Sequence, residues 1–115
     1  MLVGFEHVGM VVRDLDRTIA FYCDLLGLRL VLRKRAQDGS SELAFLEAGT
    51  CQLEIVCQRD TVAAGTHTHG RAPRVAEMRH LTFAYTDIEE VYARLAEAGA
   101  TLLEPPRQAY NQEIL

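Results

Sequence analysis

Along this chain the apolar positions alternate with polar or small ones, shift to a helical spacing, and alternate again, and the cycle runs twice. From His7 the chain reads HVGMVV before apolar residues recur at Leu15, Ile19, Tyr22 and Leu26. From His80 it reads HLTFAY before the same shift at Ile88, Val91, Tyr92 and Leu95. Laid over each other, His7 meets His80, Asp14 meets Asp87, Leu15 meets Ile88 and Ala20 meets Ala93. A one-residue gap then brings Gly27 opposite Gly99. Each copy predicts a strand, a helix, a glycine stop and a further strand, so one supersecondary unit is used twice. Asp14 and Asp87 stand where their carboxylates can accept from the orphan amides of the first helical turn. Gly27 and Gly99 suit the left-handed residue that closes a helix.

After Gly27 the alternation predicts three strands, at 28–34, 42–46 and Cys51–Gln58, with turns at Asp38-Gly39 and at Gly49. The outcome is an α+β chain: a βαβββ module over residues 5–58, a linker over 59–77 and a second module over 78–115, all in one domain, 1–115. The second module is incomplete. After a short strand at 100–104, Pro105-Pro106 opens a loop and Glu113 only begins the next strand. The counterpart of Glu54 would fall at about position 127, past the last residue. Truncation of a longer protein is the first account of this, and a residue supplied by a partner chain the second.

Composition narrows the function classes. With 49% hydrophobic and 24% charged residues the 115-residue chain is globular rather than disordered. Its formal charge is −4, from 12 basic and 16 acidic residues, and no basic face suggests nucleic acid. Apolar runs such as GMVV are far shorter than a membrane span. Met1-Leu2-Val3 lacks the basic start of a secretory leader, and Cys23, Cys51 and Cys57 lack metal-type C-x-x-C spacing. The expectation is a cytoplasmic protein with reduced, mostly buried thiols.

Period two then sorts the strand side chains. His7 shares a face with Gly9 and Val11, and His80 with Thr82 and Ala84, whereas the bulkier residues between them face a helix. In Cys51–Gln58, Gln52, Glu54 and Val56 lie opposite Leu53 and Ile55. A single strand histidine is read first as a hydrogen-bonded core residue, and Glu54 beside two glutamines as a solvated one. Two histidines at equivalent repeat positions, both on small-residue faces, point instead to ligation. Two imidazoles and a carboxylate form a donor set for a divalent transition metal. Each imidazole then needs an acceptor for its other ring nitrogen. His67 and His69 in GTHTHG read as loop residues, and Arg71-Ala72 stands where a phosphate loop needs Lys and Ser or Thr.

The segments HVGMVVRDLDRTIAFYCDLLGL, LAFLEAGTCQLEIV and RHLTFAYTDIEEVYARLAEAGA together resemble the vicinal oxygen chelate superfamily. That group includes glyoxalase I, methylmalonyl-CoA epimerase, extradiol dioxygenases, and fosfomycin- and bleomycin-resistance proteins. The resemblance implies two βαβββ modules in a curved, partly open mixed sheet around a metal cavity. It implies His7, Glu54 and His80 as ligands of a divalent ion (Ni, Zn, Co, Mn or Fe), with a fourth ligand in the missing last strand. Glu54 would be both ligand and catalytic base, unless that missing residue is the base. The implied activity is a metal-dependent lyase or isomerase of glyoxalase I (lactoylglutathione lyase) type, which chelates neighbouring oxygens of a small carbonyl substrate and moves a proton through an enediolate. Epimerase-like, extradiol dioxygenase-like and metal-free bleomycin-resistance-type readings are the alternatives. Glutathione-using members carry Arg four residues after the first ligand, where this chain has Val11. A homodimer is the implied assembly, with a small molecule as the other partner.

Overall fold

The computed structural model describes residues 1–61 and 80–108. The chain divides into two units, Met1–Glu77 and Met78–Leu115. The histidines at 67 and 69, most of the expected linker, and Glu113 lie outside the described residues.

In the first unit, β1 (His7–Val11) leads into α1 (Leu15–Ala20) and a π-helical turn (Phe21–Leu25), followed by β2 (Arg29–Arg35), β3 (Ser41–Ala48) and β4 (Cys51–Gln58). Asp14 is in extended backbone conformation and its side chain accepts from the Arg17 amide at 3.0 Å, as an N-cap should. The π-helical turn is marked by the Leu26 amide, which donates to the Phe21 carbonyl five residues back at 3.2 Å. Gly27 then stops the helix at φ 80°.

The four strands form one mixed sheet in the order β1-β4-β3-β2. β4 lies between β1 and β3, parallel to the first and antiparallel to the second. This places the first and last strands of the module side by side. α1 packs on β3 and β4, and the buried residues gather on that side: Ala44, Leu46, Leu53 and Ile55 from the sheet, with Leu15 and Leu28. Burying each large aliphatic side chain is worth about 1.5–3 kcal/mol. The opposite face of the sheet carries half-buried residues and is where the polar side chains stand. β2, at the edge, is exposed along its whole length. A bulge at Val31 shifts its register, so Leu30 pairs with Leu46 but Leu32 with Phe45. Arg33 ties the edge to the helix, reaching Asp16 at 2.7 Å and Glu42 at 3.0 Å.

The described part of the second unit holds one helix, α2 (Ile88–Glu97), closed by Gly99 at φ 78°. The strands expected at 80–85 and 100–104 do not form. β1 draws its ladder from β4, whereas among the described residues no strand pairs with 80–85. An extended segment without a neighbour has no ladder to join. The alternation survives nonetheless: Leu81, Phe83 and Tyr85 are half-buried while His80, Thr82 and Ala84 are exposed. Asp87 makes no side-chain cap bond, and Ile88, expected in the apolar stripe, is 50% exposed; Val91 is the buried residue of this helix. All three cysteines are free thiols and half-buried rather than buried. Among the described residues no helix is long and apolar enough to cross a membrane.

Candidate metal and substrate site

The open face of the first-unit sheet is organised in rows across the strands. His7 pairs with Gln52 and Gln52 with Glu47, which pairs with Arg29. One row further along, Gly9 pairs with Glu54, Glu54 with Phe45, and Phe45 with Leu32. Val11, Val56, Leu43 and Lys34 make the third. The rows thus run from polar to apolar, with His7 and Glu54 on the same face of adjacent strands. Period two and the parallel pairing of β1 with β4 together require this arrangement.

Each side chain has a distinct setting. The Glu54 carboxylate lies over Gly9, with Oε1 3.7 Å from where a β-carbon at that residue would stand. A β-carbon at residue 9 would thus stand in ordinary van der Waals contact with the carboxylate. The His7 ring meets Phe45 edge-on, centroids 5.5 Å apart and planes at 85°. Its Nδ1 bonds to the Glu6 carboxylate. The hydrogen bond with Glu6 is the largest influence and raises the His7 pKa above the ordinary 6.5. Desolvation opposes it, and the Glu6 and then the Glu54 charge add smaller upward pushes. Glu47 is held by Arg29 at 2.5 Å, so its carboxylate is already committed.

Of the three residues selected from sequence, His7 and Glu54 are brought together by the first unit. His80 belongs to the second unit and is exposed there. Among the described residues no group of three His, Cys, Asp or Glu side chains is placed to hold a metal. The donor types nonetheless fit a divalent transition ion, since imidazole nitrogen and carboxylate oxygen are its usual ligands. Glu6 and Phe45 were missed from sequence. Phe45 was visible as an aromatic position on the strand beside β4. Glu6 precedes the first strand, where alternation gives no direction for a side chain.

Comparison with known proteins identifies the architecture. The profile of the Glyoxalase/Bleomycin resistance protein/Dioxygenase superfamily matches residues 4–114. A protein named "Probable lactoylglutathione lyase" from Synechocystis sp. is 42% identical over 102 residues, covering 87% of this chain and 73% of that protein. Among solved structures, a glyoxalase family protein from Bacillus cereus aligns with TM-score 0.70 at 26% identity, over 96% of this chain and 82% of that one. Another from Enterococcus faecalis gives TM-score 0.67 at 27% identity, over 84% and 73%. The four-stranded mixed sheet, the repeat and these matches agree, and the chain belongs to the glyoxalase/bleomycin resistance protein/dioxygenase superfamily.

Proposed function

We propose that this protein is a metal-dependent lyase or isomerase of glyoxalase type, acting on a small carbonyl substrate. The observation that carries the reading is the placement of His7 and Glu54 on one open face, with the Glu54 carboxylate over Gly9. The Synechocystis relative supports the reaction class. His7 and Glu54 would hold a divalent ion, and His80 takes the same role by its repeat position. When bound, the ion supplies Lewis acidity to the neighbouring oxygens of the substrate.

Glu54 takes the proton from the carbon beside the carbonyl and returns it to the adjacent carbon. For a hemithioacetal this is a redox-neutral isomerisation: one C–H bond breaks and another forms, the hydroxyl proton passes to the former carbonyl oxygen, and a 2-hydroxyacyl thioester results. The row of Val11, Val56 and Leu43 offers an apolar surface to the rest of the substrate. Reading the chain as one domain, 1–115, of two βαβββ modules assigns 5–58 to the half that carries His7 and Glu54.

The test uses the full chain loaded with Ni(II) or Zn(II) and hemithioacetals of 2-oxoaldehydes with small thiols and with glutathione, followed as thioester formation. The expected result is turnover that falls about 10²–10⁴-fold in Glu54→Gln, with metal content measured alongside to separate loss of the base from loss of the ion. A fully active Glu54→Gln would move the base elsewhere. Bound metal without turnover of any hemithioacetal would overturn the lyase reading.

A further inference from the structure

We propose that Glu6 is a positioning residue for His7. Its carboxylate accepts the Nδ1–H, which fixes the neutral ring in one tautomer and leaves Nε2 as the free donor atom. The proposal rests on the metal reading above and deepens it.

Three contacts carry it. Glu6 lies before β1, yet its carbonyl accepts from the Gln52 amide at 3.1 Å, so its backbone is anchored on β4. Its carboxylate bonds to Nδ1 of the adjacent ring. Phe45 meets the same ring edge-on and restricts its tilt. A neutral imidazole has one N–H and one lone pair. With the proton on Nε2, the lone pair of Nδ1 would face a carboxylate that has no proton to give. With the proton on Nδ1, that contact is a hydrogen bond. Glu6 therefore selects the Nδ1–H form, and carboxylates in this position orient metal-binding histidines and raise their basicity. Glu54 sits one row away, against Gly9. The two carboxylates divide the work: Glu6 orients the ring, and Glu54 keeps its oxygens for the ion and the proton.

The experiment takes the metal-free full chain with His7 neutral and records long-range ¹H–¹⁵N correlations, His7 being assigned by its loss in His7→Asn. The wild type should show the Nδ1–H pattern. Glu6→Leu should shift His7 towards Nε2–H, and Glu6→Gln, which keeps an acceptor oxygen, should restore Nδ1–H. Titration with Zn(II) alone should then show affinity about 10–100-fold weaker in Glu6→Leu, and less weakened in Glu6→Gln. Nε2–H in the wild type, or the same tautomer in Glu6→Leu, would overturn the proposal. A tautomer change in a chain whose wild type takes up no zinc would overturn the metal reading beneath it while leaving the hydrogen bond in place.

Discussion

The two copies of the repeat begin alike and end differently, and the difference shows which parts of the fold are local. Both helices follow an aspartate and end at a left-handed glycine, Gly27 at φ 80° and Gly99 at φ 78°. These are features a short segment can specify for itself. The strand before each helix is another matter. Residues 7–11 become β1 because β4 runs beside them, whereas 80–85 carry the same alternation without a paired strand among the described residues. Even the helices are not identical. The first copy is one residue longer between its aspartate and glycine, and the extra residue is absorbed in the π-helical turn Phe21–Leu25. The second copy, without it, runs as one α-helix from Ile88 to Glu97.

The largest effects should come from the first copy, which holds most of the buried residues among those described. Leu46→Ala or Ile55→Ala should each lower unfolding stability by about 2–5 kcal/mol, read as a shifted denaturant midpoint of the sheet signal. Val91→Ala, the matching change in α2, should lose roughly 1–2 kcal/mol, since it removes less buried hydrocarbon. Equal losses at both places would mean that the copies are equally consolidated.

A smaller effect separates the caps. Asp14→Ala removes a bond at 3.0 Å to the Arg17 amide and should cost about 1 kcal/mol. Asp87 makes no such bond, so Asp87→Ala should stay within about 0.5 kcal/mol. Thermal melts of the two variants side by side decide it.

The smallest effect is in pH. The raised His7 pKa means that protonation favours the folded state, so its contribution is complete below 6.5 and is lost as pH rises through the higher folded value. The stability difference between wild type and His7→Gln should therefore be greatest at acidic pH and should fade on the alkaline side. A difference that grows with rising pH would contradict the Glu6 contact. Because metal binding needs neutral imidazole, ion affinity should fall over the same window as pH drops.

Much of this was legible from sequence, for identifiable reasons. The period of two separates Leu53 and Ile55 from Gln52 and Glu54, and the repeat points to His7. Both depend on geometry every strand shares. The bulge at Val31 was not legible, because no glycine or proline marks it and the edge strand tolerates it. The missing strand at 80–85 was not legible either: strand formation depends on a partner, and alternation alone is silent about one. Glu6 escaped because it acts from outside the strand.

The central proposal is that His7 and Glu54 would hold a divalent ion, with His80 assigned the same role by its repeat position. Its most direct measurement is elemental analysis of the full chain purified without chelator, normalised per chain, for wild type, His7→Ala and His80→Ala. The account predicts close to one Ni, Co, Zn, Fe or Mn per chain in the wild type and loss of most of it in both variants, with the circular dichroism of the sheet retained. Metal retained in both variants, or a wild type that takes up none on titration, would contradict it.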